Sequence, residues 1–166
     1  IADVKNLVYT DDISLFKGDI TTLNADVIVN AANSAMLGCF RPLHNCIDNA
    51  IHTFAGVQVR LDCNDIMKGR EAENGEVIVT KAYNLPSRFI FHTVGPIING
   101  RVTKENEADL AKCYRNCLTK ADEMKLKSIA FCCISTGVFG YPKEEAALLA
   151  VKVVREYKMQ TASDIK

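Results

Sequence analysis

The chain has 166 residues, 20 basic and 20 acidic side chains and a formal net charge of +0, which suits a single domain over residues 1–166 and gives no overall field to draw nucleic acid or an anionic membrane surface. Its seven cysteines are odd in number and mostly lie in apolar runs or on helix faces. A secreted disulfide scaffold is therefore excluded, and a reducing, cytoplasmic setting is expected, with Cys113, Cys117, Cys132 and Cys133 as core packing. No signal-like start and no apolar run of about 20 residues is found, which predicts a soluble intracellular protein.

Ile13-Ser14-Leu15-Phe16-Lys17 alternates apolar and polar side chains and stops at Gly18-Asp19, predicting a half-buried strand that ends in a turn. Val27-Ile28-Val29 is β-branched and predicts a deeper strand, closing in Asn30-Ala31-Ala32-Asn33, small and polar residues suited to a loop beside a ligand. Farther on, Ile47, Ile51, Phe54 and Leu61 form one stripe at helical spacing, with Arg60, Asp62 and Asn64 turned away. Asp48 falls in the first turn, where its charge complements the positive helix end. Residues 68–75 read as a connection. Residues 76–83 and 88–94 predict two strands around Asn84-Leu85-Pro86-Ser87.

Leu110, Cys113, Tyr114, Cys117, Leu118, Ala121 and Met124 keep the three-and-four spacing of a long helix. Ile129-Ala130-Phe131-Cys132-Cys133-Ile134 is apolar throughout, as a central parallel strand covered on both faces should be, and runs into Ser135-Thr136-Gly137-Val138-Phe139-Gly140-Tyr141-Pro142. Pro142 opens a last helix whose buried stripe is Ala146, Ala150, Val153, Val154 and Tyr157. Residues 163–166 read as the start of one more strand.

Between the second strand and the first helix, Gly38-Cys39-Phe40-Arg41-Pro42-Leu43-His44-Asn45-Cys46 gathers two thiols and an imidazole. Cys39, His44 and Cys46 are a donor set that suits zinc, and Pro42 keeps the segment out of helical geometry so that it can fold back around an ion. Three ligands leave one tetrahedral position open, unless Cys63 returns to close it. The alternative is a loop whose thiols are half-buried small apolar groups.

Strands and helices alternating from Val27 onward predict an α/β domain with a largely parallel sheet, in which ligands bind at the carboxyl ends of the strands. Residues 30–46 and 135–142 each follow a strand and precede a helix, so both would bring backbone N–H groups and a helix N-terminus to one crevice, an anion site. Neither is the Walker sequence nor the dinucleotide glycine fingerprint.

Five short motifs in fixed order, Gly18-Asp19-Ile20-Thr21, Asn30-Ala31-Ala32-Asn33-Ser34, Asp48-Asn49-Ala50-Ile51-His52, His92-Thr93-Val94-Gly95-Pro96 and residues 134–142, together resemble a macrodomain, the ADP-ribose-binding fold, and within it the MacroD-type hydrolases. The resemblance implies a three-layer α/β/α domain with a mixed, largely parallel central sheet. Where those enzymes carry a run of glycines, this chain has residues 38–46, which resemble the zinc-containing macrodomains associated with class M sirtuins in microbes. Zinc as cofactor at Cys39, His44 and Cys46, and a class M sirtuin system as partner, are implied on that ground.

By the same resemblance Asp19 accepts from the adenine amino group with the backbone of Ile20 beside it. The loop of Ser135, Thr136, Gly137, Val138 and Phe139 cradles the diphosphate, with Phe139 packing on a ribose. Asn33 lies at the distal ribose, and Asp48 beside it near the bond to be cut. The implied activity is zinc-dependent hydrolysis of ADP-ribose from a mono-ADP-ribosylated protein side chain, of the ester type, extending to O-acetyl-ADP-ribose deacetylation. The alternative is a non-catalytic ADP-ribose reader with a structural zinc. Residue chemistry agrees: amides suit ribose hydroxyls, glycine-rich backbone suits phosphate, and a carboxylate suits a water or hydroxyl that must lose a proton. His52, four residues after Asp48, could form an acid–base pair with it, but a helix histidine in an apolar setting is expected in the core, as is His92.

Overall fold

The computed structural model describes residues 13–166, so the first twelve residues of the expected single domain lie outside the described residues. Four strands, β1 (Val27–Ala32), β2 (Val77–Lys81), β3 (Phe89–Val94) and β4 (Ile129–Ala130), form one sheet in the order β2-β3-β1-β4. β1 is parallel to both β3 and β4, whereas β2 returns antiparallel on β3. The sheet is thus mixed, with β1 parallel to both of its neighbours and β2 antiparallel at one edge, as expected of a mixed, largely parallel sheet. The helices are α1 (Ile47–Ala55), α2 (Val57–Met67), α3 (Lys104–Glu123) and α4 (Lys143–Thr161), and a 3-10 turn spans Ile20–Thr22.

Alternation along β1 divides the core into two layers. Val27 and Val29 join Phe91 and the α3 and α4 residues Leu110, Cys117, Leu118 and Val153 on one face. Ile28 joins Ile78 and Ile90 against Ile51, Ala55, Val59, Cys63 and Met67 of α1 and α2 on the other. Burying each large side chain contributes about 1.5–3 kcal/mol, and a one-residue slip of β1 would send every one of its side chains to the opposite layer, so the register is strongly specified. The register carries Asn30 and His92, which face each other across β1 and β3, to the carboxyl ends of the strands.

Several sequence expectations are corrected. Residues 13–17 form no strand, and Leu15 and Phe16 are exposed. The helix over residues 47–64 is two helices broken at Gly56, whose φ of 100° only glycine adopts readily. That break shifts the helical phase, so the buried stripe is Ile51, Ala55, Val59, Cys63 and Met67, while Phe54 and Leu61 are exposed. β4 is two residues long, because the chain turns where Ile134 N–H bonds the Cys132 carbonyl, 3.0 Å, and leaves the ladder. Cys133 is accordingly exposed rather than core, and Cys132 is half-buried. Cys113 and Cys117 are buried as expected, and all seven cysteines are free thiols. Lys166 exchanges hydrogen bonds with Lys127 and Ile129, 2.8 and 2.9 Å, in the pattern of a parallel neighbour to β4.

Candidate functional site

Because β1 and β4 are parallel neighbours, the loops after their carboxyl ends emerge side by side. The first begins with Asn33, whose carbonyl accepts from Met36 N–H at 2.9 Å and whose Nδ2 donates to the Gly38 carbonyl at 3.2 Å. Gly38, at φ 81°, lies so close to the His52 ring that a Cβ there would sit 2.7 Å from it. His52 is therefore the floor under this loop. The Oδ1 of Asn33 is buried with no partner among the described residues, an acceptor oriented for something other than protein.

The loop then folds back through Leu43, whose φ is 56°, and brings Cys39, His44 and Cys46 together with their ligand atoms all within 4.8 Å of one another. Cys39 Sγ is 3.4 Å from His44 Nδ1. Cys46 is also the N-cap of α1, its Sγ accepting from Asn49 N–H at 3.4 Å, and Phe40 is held under the guanidinium of Arg60 at 4.3 Å. Two sulfurs and one imidazole, half-buried and converging, fit a zinc ion. Cys63 is not among them: it is fully buried beneath α2 and belongs to a separate group with His52 and His92. Among the described residues the loop thus offers three ligands.

Two residues past Cys46, Asp48 enters the first turn of α1 and is 5% exposed. Its Oδ1 accepts from Asn30 Nδ2 at 2.7 Å, and its Oδ2 is 3.5 Å from Asn33 Nδ2. Burial pushes the carboxyl up from the ordinary range, offset by the Asn30 hydrogen bond and the nearby Arg60 charge. His52 Nε2 lies 3.6 Å from Asp48 Oδ1. The ring is neutral, burial having pushed its pKa down to about 4, so this is no ion pair, and the core reading of both His52 and His92 stands.

The second loop holds Ser135 at φ 63° and is closed by Tyr141 N–H on the Ser135 carbonyl, 2.9 Å, and by Ile98 N–H on the Phe139 carbonyl, 2.8 Å. A Cβ at Gly95 would sit 2.1 Å from Ser135 Oγ, so only glycine lets the end of β3 approach this loop. Thr136 N–H and hydroxyl both return to the Cys133 carbonyl. The N–H groups of Gly137, Val138 and Phe139 donate to no acceptor among the described residues, which leaves three successive backbone donors available to an anion. Asp19 caps the 3-10 turn, accepting from Thr21 N–H at 2.9 Å and Thr21 Oγ1 at 2.7 Å, which hold its exposed carboxyl below the usual range. Ile20, beside it, is buried.

Asn30 and Thr80 are the site-flanking residues that sequence reasoning did not single out. The alternation of β1 and β2 could have placed both on the face that covers α1. The two buried histidines have a measurable consequence. His92 is held to a pKa of about 3 and His52 to about 4, chiefly by burial, with Arg60, Asp48 and Cys63 the titratable or charged groups around them. An unfolded histidine titrates near about 6.5, so the unfolded chain binds protons that the folded one refuses. Stability is full above that value and falls as pH drops through it towards 4 and 3. Denaturant titrations should show about 2 kcal/mol lost per histidine between pH 7 and 5. Equal stabilities at those two pH values would contradict neutral buried rings.

A run of free backbone amides after one strand and a buried carboxylate beside a thiol-rich loop after its neighbour are groups that suit a phosphate-bearing ligand. A Macro domain profile matches residues 29–150, and the chain belongs to the Macro domain family. A relative named protein-ADP-ribose hydrolase from Staphylococcus aureus (strain MRSA252) is 53% identical over 171 residues, covering 100% of this chain and 64% of the relative. This chain therefore spans somewhat less than two thirds of that relative's length. Among solved structures, an Oceanobacillus iheyensis macrodomain with ADP is 44% identical at a TM-score of 0.79, over 87% of this chain and 75% of that one. A Trypanosoma brucei macrodomain in complex with ADP-ribose is 37% identical at a TM-score of 0.78, over 90% and 59%.

Proposed function

We propose that this chain hydrolyses ADP-ribose from mono-ADP-ribosylated protein side chains. The observation that carries the reading is the buried carboxylate of Asp48, tied to Asn30, facing Asn33 and two residues past the thiol loop. The turn at Asp19, the amide-bearing loop and the Asn33–Asp48 pair offer in turn the chemistry that an adenine, a diphosphate and a distal ribose require. Asp19 and Ile20 take the adenine end, Ser135, Thr136, Gly137, Val138 and Phe139 the diphosphate, and the orphaned Oδ1 of Asn33 a distal ribose hydroxyl. Asp48 orients or deprotonates the attacking oxygen, and binding energy from the remote ADP part fixes the scissile bond in place. The relatives' names and the ADP and ADP-ribose complexes of the neighbours support the ligand class.

Cys39, His44 and Cys46 would hold zinc as cofactor. When bound at three protein ligands, zinc supplies an open position at which an oxygen is polarised and its pKa lowered. An ester-type linkage is the favoured bond, with O-acetyl-ADP-ribose as a second ester substrate and a class M sirtuin system as the source of modification. Seven free thiols favour a cytoplasmic, reducing location. A non-catalytic reader with a structural zinc is the second reading, favoured by the N-cap role of Cys46, which ties the loop to α1.

The deciding experiment measures free ADP-ribose released from modified proteins of known linkage. Release from ester-linked protein is expected, and none from any linkage would hand the function to the reader. Calorimetry checks the pocket: ADP-ribose should bind far better than NAD, whose anomeric carbon is blocked, and Asp19→Ala should weaken ADP-ribose by about tenfold. Equal affinities for both ligands, or an unaffected Asp19→Ala variant, count against it.

A further inference from the structure

Thr80, His92 and Asn30 project from one face of three adjacent strands, since Asn30 pairs with His92, Ile78 also pairs with His92, and Thr80 pairs with Ile90. All three are buried, His92 and Asn30 completely. They make a continuous chain of contacts: Thr80 Oγ1 to His92 Nε2 at 3.0 Å, His92 Nδ1 to Asn30 Nδ2 at 3.1 Å, and Asn30 Nδ2 to Asp48 Oδ1 at 2.7 Å. We propose that Asn30, His92 and Thr80 are positioning residues whose hydrogen-bonded line fixes which end of the Asn30 amide faces Asp48, and so holds that carboxylate in its working orientation. The proposal rests on the hydrolytic reading of Asp48.

Donor and acceptor chemistry gives the line one direction. An ionised carboxylate only accepts, so Asn30 turns its amino group to Asp48, and the second N–H of that group meets His92 Nδ1. Nδ1 must then be the bare nitrogen and Nε2 the protonated one, donating to Thr80 Oγ1. Burial, which keeps His92 neutral, agrees. Reversing the Asn30 amide would set its oxygen against the carboxylate and against the Nδ1 lone pair together. In this tautomer the Nδ1 lone pair adds to the carboxylate's penalty against that reversal, and Thr80 Oγ1 supplies the acceptor that Nε2–H then needs. Asn30 Oδ1 has no partner among the described residues, so nothing else on the amide opposes it.

The same logic excludes a metal at the second cluster of His52, Cys63 and His92. Coordination through His92 Nε2 would require the proton on Nδ1, where Asn30 already donates. Cys63 Sγ, at 3.8 Å from Nε2, is a weak hydrogen-bond partner of that nitrogen, and burial pushes its thiol pKa up to about 12.

The test combines turnover with a readout that does not depend on it. In uniformly nitrogen-labelled protein at neutral pH, His92 should show the Nε2–H tautomer; an Nδ1–H tautomer or a doubly protonated ring overturns the proposal. Thr80→Val is nearly isosteric and leaves Nε2–H only the weak acceptor Cys63 Sγ at 3.8 Å. It should lower kcat by about tenfold or more, with KM and ADP-ribose affinity changed by less than about twofold. Thr80→Ser should recover most of the turnover. His92→Leu should behave as Thr80→Val, and His92→Asn, whose amide oxygen takes the place of Nδ1, should recover it. A kcat unchanged in folded Thr80→Val, or a loss that Thr80→Ser does not recover, overturns the positioning role. Should His92→Leu not fold, the threonine pair decides. Wild-type protein inactive on every linkage defeats the hydrolytic reading, while the tautomer spectrum still reports on the line itself.

Discussion

Asp48→Ala should leave the protein folded and binding ADP-ribose while kcat falls by about 10²–10⁴-fold, the range that a positioned general base supplies. The carboxylate is 5% exposed, spends one oxygen on Asn30 and holds the other by a long, 3.5 Å bond from Asn33, so Oδ2 keeps acceptor capacity for an attacking oxygen. Its pKa is raised by burial, which makes it a stronger base than a surface aspartate. With the ADP portion assigned in the proposed function to residues 137–139 and the turn at Asp19, truncating Asp48 should remove an interaction realised in the transition state and spare uniform binding. The fold cost is modest, since the substitution leaves one Asn30 N–H without its acceptor, worth about 1–3 kcal/mol, and removes a desolvated charge. Single-turnover release of ADP-ribose beside calorimetric affinity separates the two quantities. A variant that binds less tightly in proportion to its lost rate would assign Asp48 to binding.

Most of the sheet was legible because periodicity and burial agree there. Val27-Ile28-Val29 is β-branched and buried on both faces, and the stripe Leu110, Cys113, Tyr114, Cys117, Leu118 and Ala121 is buried as spaced. The failures share a cause: one residue changes the phase. Gly56 breaks the helix between α1 and α2 and turns Phe54 and Leu61 outward, and nothing in local propensity distinguishes it from a tolerated helix glycine. Apolar character alone made residues 129–134 read as a strand, yet the turn at Cys132 ends pairing after Ala130. At the site, Cys39, His44 and Cys46 were legible as a donor set and do converge. Asn30 was missed because its role depends on a pairing with His92, 62 residues away, and registers between strands are not written in either segment.

Purified protein should carry close to one zinc per chain, and removing it should cost turnover about a hundredfold or more while leaving the fold. The ligand atoms of Cys39, His44 and Cys46 already lie within 4.8 Å of one another, so little reorganisation is needed to bind. Both thiolates are required, since a methyl cannot donate, and a Cys39→Ala/Cys46→Ala variant should be metal-free by elemental analysis. Cobalt offered to the stripped protein should give thiolate-to-cobalt absorption that the same variant lacks, a ligand signature independent of activity. Cys63, on the buried face of α2 and outside the loop's ligand group, should be dispensable for metal, so Cys63→Ala should retain full zinc content. The core elements Ile51, Ala55 and Val59 pack without help from the loop, so circular dichroism of the stripped protein should stay helical. Zinc content well below one per chain, or unchanged in the double cysteine variant, defeats the assignment. If the stripped protein remains folded, binds ADP-ribose and releases it from ester-linked substrate at the full rate, the loop's three ligands serve only to tie residues 39–46 onto α1.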